Sequence, residues 1–341
     1  MLVDPRPMGP VVVGCDSSWE SQNAVAAATR EASRRGTELV LLAVAERRPN
    51  RPDGLAWVTR VEAESARDAQ RAADLAMAKA VATDAAVAVQ TVIVKAIDSP
   101  ELVDSAGQAG LLVLGRRGDG GLVAFSLGST SAELARRFRC PILVVHDQEL
   151  PSHAQRFGPG RAVVARLDIT AEAGAVLSVA VTEAVIRGLP LVVVYALQRD
   201  KAVGHTFIAQ GWGRYQAALG EAQLPAYVPS RLVITQDDPV QALLGRVGPA
   251  DVLVVGTRGQ GRLEGLISGS VSRQILDQMT CDVIVVRPGS TTAGRPDRSW
   301  PTNLPSSEAA FGRPLAAGDP LAPHGGRGSV TVPLTRWDTS T

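Results

Sequence analysis

The chain carries its own pattern twice, and that duplication restricts the fold more than any other feature. GPVVVGCDSS at 9–18 has a counterpart in GRAVVARLDIT at 160–170, and LLVLGRRGDGG at 111–121 in VLVVGTRGQGR at 252–262. LGSTSAELARR at 127–137 matches SGSVSRQILDQ at 268–278, and CPILVVHD at 140–147 matches CDVIVVRP at 281–288. Asp168 lies 152 residues after Asp16, whereas Gly256, Gly269 and Cys281 each lie 141 after Gly115, Gly128 and Cys140. The second copy is therefore 11 residues shorter between its second and fourth strands. Shared offsets across separate motifs mark one supersecondary unit used twice.

Within the first copy, apolar runs alternate with helical stretches. Strands are predicted at 11–15, 39–45, 87–94, 111–114 and 142–145, and helices at 21–35, 55–82, 100–108 and 130–139. The helix at 21–35 ends at Gly36, the residue type that tolerates a left-handed cap. The second copy repeats the strands at 162–167, 191–195, 230–234, 252–255 and 283–286, with a shorter second helix around 206–219. Strand–helix alternation predicts right-handed crossovers and a parallel sheet covered on both faces. The composition agrees: aromatics are only 4%, and small and branched aliphatics supply the core, as buried parallel strands require. The expected organisation is a flexible start at 1–9, a first domain at 10–147, a linker at 148–160, a second domain at 161–288 and a disordered Pro/Ser/Thr/Gly-rich tail at 289–341.

Several function classes fall away on composition. With 35 basic and 34 acidic residues the net charge is +1, which argues against a general electrostatic attraction to a nucleic acid. Three cysteines, Cys15, Cys140 and Cys281, show neither CxxC spacing nor an even count, and the four histidines form no close pair. The N-terminus MLVDPRPMGP has no basic region followed by an apolar stretch, and apolar runs such as 39–45 are far below the roughly 20 residues of a membrane span. A cytoplasmic protein with no membrane partner is expected.

The glycines carry the chemistry. Gly115 and Gly118 are followed after nine residues by Gly128 and Ser129; Gly256 and Gly259 are followed at the same spacing by Gly269 and Ser270. A glycine lets backbone amides approach an anion with no Cβ in the way, and a helix opening at a glycine–serine pair offers free amides and a favourable dipole. The alternative is that the glycines only turn the chain and Ser129 and Ser270 only cap helices; the identical spacing in both copies favours a site. Asp16 and Asp168 follow the first strand of each copy. In an open parallel sheet, ligands sit at the carboxyl ends of the strands where chain direction reverses. Asp16 there would accept a hydrogen bond from a ribose hydroxyl or adenine amine, or else cap the next helix.

The Gly-2x-Gly-9x-Gly-Ser pattern, the strand-end VGCDSS and the closing CPILVV resemble the universal stress protein family over about 11–145 and 162–286. The resemblance implies two tandem Rossmann-like α/β domains, each a five-stranded parallel sheet ordered 3-2-1-4-5 with helices on both faces. It implies ATP, with or without Mg²⁺, bound in each. Asp16 and the backbone at Val44 would contact adenine and ribose, and Gly115, Gly118, Gly128, Ser129 and Thr130 the phosphates. In the second copy the matching positions are Asp168, Ala196, Gly256, Gly259, Gly269, Ser270 and Val271. The family also implies pairing through the fifth strands, between the two copies or in a homodimer. Two departures stand out: Arg166 replaces Gly14, and Ile169-Thr170 replaces Ser17-Ser18.

No Walker A motif, no GxGxxG after a first strand and no nucleophile–base pair is present. The expectation is a nucleotide-binding stress sensor or regulator speaking to an unidentified protein. The alternatives are an interaction module of the same fold with empty or cyclic-AMP-binding pockets, and a slow ATPase or adenylate-transferring enzyme.

Overall fold

A computed structural model describes residues 8–45, 55–94, 107–116, 134–146, 161–167, 173–196, 222–235, 237–257, 270–287, 290 and 330–333, with short helical pieces between 212 and 220. The chain forms two compact units that change over between Asp147 and Gln148.

In unit 1, β1 (Val11–Cys15), β2 (Leu39–Val44), β3 (Val89–Val94), β4 (Leu111–Gly115) and β5 (Ile142–Val145) lie in the order β3-β2-β1-β4-β5, all parallel. The central strands are buried along nearly their whole length, which is why they read as unbroken aliphatic runs rather than alternating ones. Helix α1 (Trp19–Arg35) packs against β1 and β4, and α2 (Leu55–Thr83) against β2, β3 and α1. The α2 stripe Ala69, Ala72, Ala73, Ala76 and Ala80 is buried, and its helical spacing brings the helix close to its neighbours. Residues 134–137 are helical and cover the other face: a Cβ added at Gly14 would lie 3.2 Å from Leu134 Cδ1, whereas one added at Gly115 would meet the α1 backbone. Gly14 and Gly115 point to opposite sides of the pleat, so helices cover both faces.

Unit 2 repeats this with β6 (Val163–Leu167), β7 (Leu191–Ala196), β8 (Ser230–Thr235), β9 (Val252–Gly256) and β10 (Asp282–Val286) in the order β8-β7-β6-β9-β10. Among the described residues its longer helices are α3 (Ala173–Arg187), α4 (Pro239–Leu244) and α5 (Ser270–Gln278). One strand is additional. Val330–Pro333, inside the tail expected to lack structure, forms β11, antiparallel to β8 with Val330 opposite Ile234 and Val332 opposite Leu232. The alternating V-T-V run is short but β-prone, and the edge of β8 supplies it with backbone partners.

The repeat reaches details that spacing alone did not reveal. Gly36 and Gly188, 152 residues apart, both take φ 61° and close α1 and α3. The following amides, Thr37 and Leu189, bond back to the carbonyls of Ala32 and Ala184 at 3.0 and 2.9 Å. One turn earlier a buried ion pair is duplicated: Arg35 with Glu31 at 3.1 Å and Arg187 with Glu183 at 3.0 Å. Elsewhere the copies diverge. Gly9 and Gly110 pack backbone to backbone in unit 1. In unit 2 the position of Gly110 is taken by buried Asp251, whose carboxylate accepts from Ala162 N–H (2.8 Å) and Gly248 N–H (2.7 Å). Burial pushes that carboxyl above its ordinary range.

Candidate functional site

The strand register assembles the carboxyl edge of unit 1. Cys15 pairs with Ala43, and the β1–β4 register, carried two residues beyond Val13–Val113, sets Cys15 beside Gly115. Asp16, Val44 and Gly115 therefore emerge at one edge, on three adjacent strands. Chain direction reverses here, since β1 runs on to β2 and β3 on one side while β4 and β5 lie on the other. That reversal opens the crevice in which doubly wound sheets take ligands.

Asp16 is exposed and held by its neighbours. Its Oδ1 accepts from the Ser18 N–H at 2.8 Å and from the Ser18 hydroxyl, and its own N–H donates to Ser21 Oγ at 2.9 Å. Ser18, not Asp16, is the N-cap of α1, its Oγ accepting from the Ser21 N–H at 3.1 Å. Asp16 braces that cap, and its Oδ2 carries no hydrogen bond among the described residues. The two serines were missed as site-forming residues in the sequence; the i, i+3 spacing of Ser18 and Ser21 before an Ala-rich run was the signal that could have found them.

Gly115 has a packing reason to be glycine besides the one expected. A Cβ there would stand 2.7 Å from the carbonyl oxygen of Glu20 and 3.1 Å from its carbon. Its bare face thus receives the first turn of α1 and fixes where that helix, with Asp16 and Ser18 at its entrance, sits on the sheet. Cys15, next along, is buried, and burial together with the Asp16 charge pushes its thiol up to about 12. That thiol has no reactive character.

In unit 2 the same edge is formed by Ala196, paired with Thr235, and Gly256, paired with Val286. Ser270 opens α5 and Val271 is its second residue. Arg166, which replaces Gly14, is buried on β6 opposite Val194. Gly118, Gly128, Ser129, Thr130, Asp168, Gly259 and Gly269 lie outside the described residues. Among the described residues no cluster of three His, Cys, Asp or Glu side chains could hold a metal ion, and no helix is long and apolar enough to cross a membrane.

Two doubly wound α/β units, each with a strand-end glycine beside the reversal of its sheet, define a tandem domain of the Rossmann-like class. The model of the universal stress protein family matches residues 8–146 and 161–287. The chain belongs to that family. A universal stress protein of Mycobacterium tuberculosis (strain ATCC 25618 / H37Rv) is 30% identical over 298 residues, covering 83% of this chain and 98% of its own length. One from Mycolicibacterium smegmatis is 29% identical, covering 82% and 97%. Among solved structures, a universal stress protein from Archaeoglobus fulgidus DSM 4304 aligns with a TM-score of 0.57 at 15% identity, covering 82% of this chain and 99% of that one.

Proposed function

We propose that the chain is an adenine-nucleotide-binding regulator of the stress response. Each unit binds one ATP at its carboxyl edge, and nucleotide occupancy sets which protein partner it engages. The observation that carries the reading is the coincidence of Asp16, Val44 and Gly115 at the point of strand reversal, with the Gly-2x-Gly-9x-Gly-Ser spacing leaving that same point in both copies. The described residues fit such a ligand. Asp16 presents an exposed carboxylate oxygen to a hydroxyl or amine, and the Val44 backbone, at the end of its strand, lies beside it. Gly115 serves by seating α1, while Gly118, Gly128, Ser129 and Thr130, and in unit 2 Gly259, Gly269, Ser270 and Val271, are proposed to meet the phosphates. Asp168 and Ala196 take the base and ribose in unit 2. Mg²⁺, where present, binds mainly through the phosphates, as this small cation keeps much of its hydration. The chain acts in the cytoplasm, its fifth strands pairing with each other within one polypeptide or in a homodimer.

Mass spectrometry of small molecules released from the purified, denatured protein is the direct test. ATP or ADP in the extract, lost from a Gly118→Ala/Gly128→Ala variant, is the expected result. Protein with no bound nucleotide and no ATP affinity by calorimetry refutes the reading, and cyclic AMP in the extract replaces the ligand.

A further inference from the structure

A buried charge stands directly beneath the carboxyl edge of unit 2, at the position where unit 1 has Gly14. Arg166 is the penultimate residue of β6. It pairs with Val194 of β7, and the β6–β9 register, carried one residue beyond Ala165–Val254, sets it beside Val255. Val194 lies two residues before Ala196, and Val255 one before Gly256. Arg166 thus sits one layer below the point where chain direction reverses in this unit, between the two strands that leave it on either side. Only 6% of the residue is exposed.

The repeat shows how the fold admits so large a side chain. At Gly14 an added Cβ would lie 3.2 Å from Leu134 Cδ1 and 3.5 Å from Leu114 Cδ2. Through the 141-residue offset the matching residues of unit 2 are Ile275 and Val255, both buried. Valine has no Cδ, and isoleucine carries its bulk nearer its own backbone, so the space that the leucine tips fill in unit 1 is open to the arginine stem. By the same correspondence the stem runs on the α5 side of the sheet, below the helix that Ser270 opens.

A guanidinium keeps its proton inside a protein, and a charge enclosed by the fold escapes the salt screening that weakens surface charges. Across about 10 Å at an intermediate dielectric, its attraction for one ligand charge is worth about tenfold in affinity. We propose, resting on nucleotide binding at this edge, that Arg166 makes unit 2 selective for the more highly charged nucleotide. Its fixed charge favours ATP over AMP there, whereas unit 1, with Gly14, separates the two less. Being enclosed, Arg166 acts as a field beneath the ligand rather than as a contact, so it sets charge preference and leaves base recognition alone.

The full chain is photolabelled with 8-azido-ATP and digested, so that labelled peptides report each unit separately. Competition by ATP and by AMP then gives the preference of each unit. In the wild type the ATP-over-AMP preference is expected to be larger in unit 2 than in unit 1. Arg166→Met keeps the stem and removes the charge, and is expected to lower the unit 2 preference by about tenfold or more, with unit 1 unchanged. A preference that survives Arg166→Met, or an equal loss of ATP and AMP, overturns the proposal. So does a gain in affinity in Arg166→Met or Arg166→Gly, which would make the side chain an obstruction. Should the variants fail to fold, the wild-type comparison of the two units decides, and equal preferences overturn the proposal. Label on unit 1 peptides alone refutes the role of Arg166 and leaves nucleotide binding in unit 1 standing, whereas label on neither refutes nucleotide binding as well.

Discussion

Replacing Gly115 by alanine tests whether that glycine seats α1. The added methyl would lie 2.7 Å from the Glu20 carbonyl oxygen, well inside the 3.4–4 Å of ordinary contact, and the atom it meets is backbone. Neither β4, paired on both sides, nor the first turn of α1, anchored by the Ser18 cap, yields without breaking hydrogen bonds. Overpacking of this kind costs about 1–3 kcal/mol, offset by about 0.4–1 kcal/mol because alanine restricts the unfolded chain. A net loss of about 1–2 kcal/mol remains. Gly14→Ala is the matched control. Its methyl would meet only side-chain tips, Leu134 Cδ1 at 3.2 Å and Leu114 Cδ2 at 3.5 Å, so the expected change is within about 0.5 kcal/mol. Urea unfolding reads the difference, with the unit 1 transition assigned by hydrogen exchange of α1 peptides. At a slope of about 2 kcal/mol/M the Gly115→Ala midpoint falls by about 0.5–1 M. An unchanged midpoint, or a Gly14→Ala loss equal to that of Gly115→Ala, refutes the packing argument and returns Gly115 to a purely ligand-facing role.

Three further outcomes follow from buried groups. Glu183→Ala leaves the Arg187 guanidinium buried beside a lost carboxylate and is expected to cost about 3 kcal/mol, whereas Glu183→Gln with Arg187→Met costs far less; urea unfolding of both variants checks it. With the Cys15 and Cys281 thiols pushed up to about 12, thiolate at pH 8 is about one part in ten thousand of each. Ellman's reagent should therefore react at these positions only on unfolding, and rapid native labelling of either refutes that. The raised carboxyl of Asp251 means the folded state holds its proton more tightly than the unfolded state. This group's contribution to stability accordingly declines as pH rises from the unfolded value near 3.8 through the folded one. Asp251→Asn removes that decline, and a stability–pH curve identical in slope to wild type over mild acid contradicts it.

How much of this was legible in the sequence depends on whether a feature is set by local chemistry or by contact at a distance. The strands of both units were readable to within two residues because buried parallel strands must be aliphatic along their whole length. The close of α1 was readable because Gly36 adopts a conformation other residues resist. Asp16 was singled out but its partners were not, since the choice between Asp16 and Ser18 as N-cap turns on which side-chain oxygen reaches the Ser21 amide. For Gly115 the structure adds a packing reason the sequence does not show: sequence has a glycine at a strand end, not the helix turn at Glu20, 95 residues earlier, that fills its bare face. The tail strand was not found, because four residues of V-T-V-P in a Pro/Gly-rich segment acquire an extended partner only once β8 has formed.

The halves share what the backbone demands and differ where side chains meet the interior. Both keep the left-handed glycine at the end of the first helix, the Glu–Arg pair in the last turn before it and the glycine at the end of the fourth strand. They part at Gly14 against Arg166, Gly110 against Asp251 and, among the described residues, at the outer edge of β3, which has no strand beside it, against β8, which β11 covers. A buried guanidinium on β6 and a buried carboxylate before β9 both need internal partners, because the interior penalises unpaired charge far more than water does. Unit 1 has glycine at both of these positions. The sheet is thus a common scaffold, and the buried charges within it, Arg166 on β6 and Asp251 at the amino end of β9, are particular to unit 2.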